Sequence, residues 1–159
     1  MENKNIKAFL DVIAFSEGTY GQGDNGYNVI VGHTPAKPKL FHDYSDHPRE
    51  KVWIGKINDY STAAGRYQIL KKYYDFYKRS LNLPDFGHDS QDKIAIRMIR
   101  ECGALADIEK GLFEAAIHKC KSRWASFPGA GYKQKENKMS DLEKKFVEFG
   151  GKIGGKNGQ

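Results

Sequence analysis

Three short stretches of this chain hold residue types that can do chemistry. The first is Glu17-Gly18. Upstream, Ile6, Phe9, Leu10, Ile13 and Ala14 recur at i, i+3, i+4, i+7 and i+8, one face of a helix. Glu17 is the next position on that stripe. A carboxyl group aimed along a buried face, at the negative end of the helix dipole, resists ionisation, so its pKa is pushed upward. A carboxyl that stays protonated near neutrality can act as a general acid. The plainer reading of such a position is an edge glutamate that snorkels to solvent.

The second stretch is Ser61-Thr62-Ala63-Ala64-Gly65-Arg66-Tyr67-Gln68, where a β region hands over to a helix through small residues. Small residues let a ligand approach the backbone, and Tyr67 and Gln68 offer a ring and an amide. The third is Pro128-Gly129-Ala130-Gly131-Tyr132, a glycine-rich loop with one aromatic. Stacking rings and hydrogen-bonding amides around one acid are what a polysaccharide site needs. Plain structure would also use these residues: Gly65 as a helix entry, Tyr67 as a core ring, Tyr132 as a loop anchor.

The elements that must position these stretches follow from periodicity. After Gly18 comes a turn-rich loop to Gly26, then Tyr27–Val31 reads as a short strand. Two prolines between Thr34 and Lys39 interrupt any ladder, and Val52–Ile54 reads as another short strand. From Gly65 the period is helical through Ile69, Leu70, Tyr73, Tyr74, Tyr77 and Leu81. Further helices are expected from Asp89 or Ser90 to Gly103, across a short turn at Leu105 and Ile108, and from Phe113 to Trp124. Ser140 with Glu143 forms a capping box for a last helix that ends at Gly150-Gly151. The layout is α+β: a mostly helical single domain over residues 1–151, with a small irregular antiparallel β region and a flexible tail over 152–159.

The 159 residues suit one domain, and the 13% aromatic content argues against disorder away from the ends. Glu2, Lys4, Lys7 and Asp11 lie inside the first helical pattern, so it reads as neither a membrane span nor a secretory signal. Cytoplasmic accumulation is therefore expected. Cys102 and Cys120 read as buried small hydrophobes rather than a disulfide. The five histidines lack metal-ligand spacing, so no metal and no cofactor is expected. A formal charge of +6 favours polyanions without choosing among nucleic acid, anionic membrane and cell-wall polymer. The basic residues do not cluster and no nucleic-acid motif is present, so nucleic acid is not expected as a partner.

The chain resembles the lambda-type phage endolysins, a lysozyme-like family of lytic transglycosylases. The matching words are Lys7-Ala8-Phe9-Leu10-Asp11, Ser16-Glu17-Gly18-Thr19, Gly26-Tyr27-Asn28-Val29-Ile30-Val31-Gly32 and Asp43-Tyr44-Ser45-Asp46-His47-Pro48-Arg49. They continue in order with Gly65-Arg66-Tyr67-Gln68, Ser90-Gln91-Asp92, Arg100-Glu101-Cys102-Gly103-Ala104-Leu105 and the run from Trp124 to Tyr132. The resemblance implies a lysozyme-like fold and cleavage of the bond between N-acetylmuramic acid and N-acetylglucosamine in peptidoglycan strands. It implies no use of water: the muramic 6-hydroxyl closes on its own anomeric carbon and leaves a 1,6-anhydro end. Glu17 matches the single catalytic acid/base. Gln68 and Tyr132 match cleft positions, Tyr67 lies beside them, and Asn28 stands where an aspartate is expected. Release by a phage-encoded holin, lysis of the host and action as a monomer are implied too.

Two other readings remain. A hydrolytic muramidase would need a second carboxylate, for which Asp24, Asp43 and Asp46 are available. A non-catalytic wall- or nucleic-acid-binding module would use the basic charge and the tyrosines alone.

Overall fold

In the computed structural model, which describes residues 3–132 and 135–154, the first helix, α1, runs Lys4–Glu17. It stops at Gly18, whose φ of 81° is the left-handed conformation that ends helices and that glycine adopts without penalty. The apolar stripe of α1 is buried. So are Ala8 and Val12, which lie off that stripe. α1 is thus a core helix, not a surface helix with one wet face.

The remaining elements are β1 (Val52–Ile54), β2 (Asp59–Ser61), α2 (Lys71–Ser80), α3 (His88–Glu101), α4 (Leu105–Glu109), α5 (Phe113–Cys120) and α6 (Met139–Glu148). β1 and β2 pair antiparallel, Val52 opposite Ser61 and Trp53 opposite Tyr60. The expected strand at Tyr27–Val31 shrinks to isolated bridges, Val29 with Leu40 and Ile30 with Ala64. The helix expected from Gly65 starts only at Lys71. Ala64 and Ile69 exchange backbone hydrogen bonds of 3.1 and 2.8 Å, which commits those groups to a closed turn instead. The capping box does not form either. Lys138 is the N-cap of α6 without a side-chain bond, and Ser140 already lies inside the first turn.

By contact the chain divides into two units, one comprising the chain up to Ser16 together with everything from Ile96 on, the other Glu17–Ala95. The first unit is built on aromatic packing. Phe9 meets Phe113 and Phe127 edge-on at 5.9 and 6.2 Å, and Phe113 meets Phe146 at 4.9 Å. Each buried ring of this kind contributes about 2 kcal/mol. Polar side chains pin the ends of α1. Asn5 donates to the Ile108 carbonyl at 3.0 Å and accepts from the Lys152 amide at 2.8 Å. Ser16 shares a 2.7 Å hydrogen bond with Ser126 and accepts from Asn137. The Gly154 amide also donates to the Gly111 carbonyl at 3.1 Å, so the tail is anchored through Gly154, and residues 155–159 lie outside the described residues.

The second unit is held by a smaller aromatic cluster and one ionic fork. Phe86 packs against Tyr74 at 5.0 Å and against the His47 ring at 4.9 Å. Arg49 reaches both Asp46, at 2.8 Å, and Asp75, at 2.6 Å, tying the Asp43–Arg49 segment to α2. His47, 2% exposed, bonds the Ile69 carbonyl through Nε2 while Nδ1 accepts from the Arg49 amide. That pattern defines a neutral imidazole protonated on Nε2, and burial lowers its pKa.

Candidate active site

Glu17 sits half-buried at the last position of α1. Two residues on, Thr19 is 1% exposed, and its hydroxyl donates to the Arg66 carbonyl at 2.6 Å. Gly26 closes over Thr19; a Cβ at Gly26 would lie 2.8 Å from the Thr19 carbonyl oxygen, too close to accommodate. The backbone that leaves Glu17 is therefore fixed to the Gly65–Gln68 turn.

That turn is itself over-determined. Gly65 has a φ of 83°, and a Cβ there would collide with the Gln91 amide and meet the Phe86 ring. Gln91, fully buried, accepts from the Arg66 amide at 2.9 Å and donates to the carbonyls of Tyr27 and Phe86. Arg66 as a whole is 3% exposed, and its guanidinium is engaged in this frame. It donates to the Asn25 carbonyl at 2.9 Å and to the Tyr67 hydroxyl at 3.3 Å. It also lies between 5.4 and 5.7 Å from the ring centres of Tyr20, Tyr27 and Tyr67, cation–π distance. Tyr67 and Tyr27 both donate to the same Asp92 oxygen, at 2.6 and 2.9 Å. Burial raises the Asp92 pKa, opposed by those two hydroxyls and by Arg66. Burial likewise pushes Tyr27 up to about 12.

The sequence-expected site residues fall into distinct roles. Gln68 is the one that the turn displays: a non-glycine residue at φ 52°, with Nε2 folded back onto the Gly65 carbonyl at 3.0 Å. A left-handed glutamine costs about 1 kcal/mol and persists where its surroundings dictate it. Tyr67 is not a stacking surface, because its ring is 1% exposed and its hydroxyl is committed to Asp92. Asn28 is buried as well; its Oδ1 accepts from the Asp24 amide at 2.9 Å and supports the loop after Thr19. Both belong to the frame, and neither offers a face to a ligand.

Tyr132 lies in the other unit, half-exposed at the end of the glycine loop. The loop is organised by Glu136, whose two carboxylate oxygens accept from the Gly129 and Gly131 amides at 2.9 and 2.8 Å. Those amides hold the Glu136 pKa below its ordinary value.

The three carboxylates that the sequence offered as a second catalytic acid each have a partner. Asp46 is locked to Arg49, and Asp43 accepts from the Ser45 amide at 2.9 Å. Asp24 accepts from Tyr44 at 2.6 Å and bonds the His88 ring at 2.7 Å, which lowers its pKa. Sequence reasoning missed Thr19, Arg66, Gln91 and Asp92 as a connected frame. Their words were visible, but nothing in linear spacing says that Gln91 reaches the Arg66 amide. It also missed the exposed ring pair Trp53 and Tyr60, 5.2 Å apart on the β hairpin.

Comparison with known proteins fits this geometry. The endolysin family model matches residues 7–153. The chain is 47% identical to the endolysin of Escherichia phage lambda over 156 residues, 95% of this chain and 94% of that protein. It is also 47% identical to the endolysin of Escherichia phage P2 over 147 residues, 88% of this chain and 89% of that one. The fold superposes on bacteriophage lambda lysozyme complexed with a chitohexasaccharide with a TM-score of 0.89 at 46% identity, covering 96% of this chain and 98% of that one. A second lambda lysozyme structure gives 0.85 at 45% identity, with the same coverage. Glu17, followed by a backbone tied through Thr19 to a buried polar frame, thus stands in a lysozyme-like fold, and the chain belongs to the endolysin family.

Proposed function

We propose that the chain is a lytic transglycosylase that cleaves the β-1,4 bond from N-acetylmuramic acid to N-acetylglucosamine in peptidoglycan, lysing a bacterial host. The observation that supports a single acid is that other carboxylates of the chain are already engaged. Asp46 is held by Arg49, Asp43 by its own turn, and Asp92 by two tyrosines, while Glu17 terminates a core helix beside a fixed turn. Glu17 protonates the departing glycosidic oxygen. Its carboxylate then takes the proton of the muramic 6-hydroxyl as that oxygen closes on the anomeric carbon, and a 1,6-anhydro end results. Gln68 offers an amide to the glycan and Tyr132 an exposed ring. The chitohexasaccharide bound by lambda lysozyme supports a substrate of this β-linked amino-sugar class.

Hydrolysis is the second reading, and Asp24 is the residue that favours it: a half-exposed carboxylate whose lowered pKa keeps it ionised, as a water-activating base must be. Digestion of peptidoglycan in ¹⁸O-water decides between the two. Transglycosylation gives muramic ends one water lighter than reducing ends and without label, whereas labelled reducing ends would overturn it. In either case Glu17→Gln keeps the shape and removes the transferable proton. It should fold normally and lose wall lysis by about a thousandfold, the weight of general acid catalysis.

The enzyme acts as a monomer, and its +6 charge speeds encounter with the anionic wall. It accumulates in the host cytoplasm until a phage-encoded holin opens the membrane. Fractionation of cells expressing this chain without a holin should find it inside; export would refute that.

A further inference from the structure

Cys102 follows the last turn of α3, and Cys120 is the last residue of α5. Both are free thiols, and they are in hydrogen-bonding contact with each other. Two side-chain contacts link the segments on either side of the pair. Arg123 bonds Glu101 at 3.0 Å, and the Lys119 ammonium bonds the Gly103 carbonyl at 3.4 Å. Residues on both sides of Cys102 thus grip residues on both sides of Cys120.

The two sulfurs are not equivalent. Cys120 is fully buried, whereas Cys102 is half-buried with Arg123 and Ser122 beside its sulfur. The hydrogen bond from Cys120, helped by Arg123, favours the Cys102 thiolate, while Cys120 is held as the thiol. A thiolate at the accessible position and a protonated partner behind it make an attacking and a resolving cysteine.

We propose that Cys102 and Cys120 form a dithiol that closes to an intramolecular disulfide when the chain meets a disulfide oxidant. The Cys102 thiolate attacks one sulfur of the oxidant and expels its other sulfur as a thiol, giving a mixed disulfide. Cys120 then loses its proton and attacks the Cys102 sulfur, expelling the second oxidant sulfur. The protein gives up two electrons and two protons, and the oxidant disulfide is reduced to its two thiols. The short S–S bond requires the sulfurs to close in further. Gly103, next to Cys102 with φ 74° and open space around its Cα, is a place where that movement can be absorbed.

The new bond would enclose residues 103–119, which include α4 and most of α5, and restrict the unfolded chain accordingly. A reducing cytoplasm keeps the pair open, and an oxidising compartment outside the inner membrane closes it. That trigger rests on the release proposed above; the chemistry does not.

The test equilibrates the full chain with glutathione disulfide, then with dithiothreitol. Intact mass and iodoacetamide labelling after denaturation should show a monomer two hydrogens lighter with no free thiol. The unfolding temperature should rise by about 5–10 °C and fall again on reduction. Cys102→Ser should unfold with reduced wild type and show no oxidant-dependent rise. Two alkylatable thiols after oxidation, stable glutathione adducts, disulfide dimers, or a rise that persists in Cys102→Ser would each overturn the proposal. Wall lysis by Cys102→Ser in reducing buffer should match wild type, which separates failure here from failure of the glycan-cleavage reading.

Discussion

The Gly65–Gln68 turn and the Pro128–Tyr132 loop look alike in sequence: small residues, positive-φ glycines and one or two polar or aromatic groups. They are built on opposite principles. The first is held by fully buried Gln91, nearly buried Arg66 and a shared Asp92 carboxylate. The second hangs from one carboxylate, Glu136, through two amide bonds at the surface. A buried network acts in a low dielectric, where satisfied polar groups rigidify and orphaned ones are costly. A surface carboxylate acts in water, where its bonds are readily exchanged. The turn braced to Glu17 is preorganised, and the loop that carries Tyr132 is left able to adjust.

The largest effect should come from breaking the buried frame. Arg66→Met removes two hydrogen bonds and the cation–π contacts, leaving the Asn25 carbonyl without the Arg66 donor and Asp92 without the cation that opposes its burial. Removing one member of such a group costs about 3 kcal/mol. Urea unfolding should read that loss. Lysis measured well below the new unfolding midpoint should also fall, since Thr19 bonds the Arg66 carbonyl two residues from Glu17. Stability within 1 kcal/mol of wild type would show that the network is not what holds the turn, because breaking it should cost about three times that.

This difference marks where sequence stops being legible. Helical periodicity located α1, α3 and α5 because their apolar spacing reports local geometry, and Glu17-Gly18 was readable as a helix end for the same reason. The start of α2 was not, since Ile69 is claimed by a backbone pairing with Ala64 that periodicity cannot foresee. Tyr67 and Asn28 looked like ligand contacts because a tyrosine or an asparagine has the same letter whether buried or exposed. Only the long-range partners, Asp92 for Tyr67 and the Asp24 amide for Asn28, decide which it is. Glu136 was overlooked for a related reason: its work is done on backbone amides, which carry no sequence signature.

A smaller effect, and one that separates strain from function, is expected at Gln68. Glycine at that position would accept the φ of 52° without steric cost but would be freer in the unfolded chain. Gln68→Gly should therefore leave the unfolding free energy unchanged or raise it by up to about 1 kcal/mol, while wall lysis falls at least tenfold. A variant that is both stable and fully active would remove Gln68 from the site.

The mildest change belongs to the loop. Because the Gly131 and Gly129 amides lower the Glu136 pKa, the folded state binds this proton less readily than the unfolded chain does. The loop anchor is therefore fully present above the ordinary glutamate pKa of about 4.3, and it is lost as pH falls through the lower folded value. Glu136→Gln imitates the protonated state at neutral pH: one oxygen can still accept, but an NH₂ group faces the other glycine amide. The unfolding temperature should scarcely move, since the group is at the surface, whereas hydrogen exchange at Gly129 and Gly131 should quicken. Wild type acidified through the lowered Glu136 value should show the same quickening after correction for intrinsic rates, and the variant should show none beyond its neutral-pH level. If the glycine amides of Glu136→Gln stay as protected as in wild type, the loop is held by its own backbone and the contrast with the Arg66 turn narrows to one of burial alone.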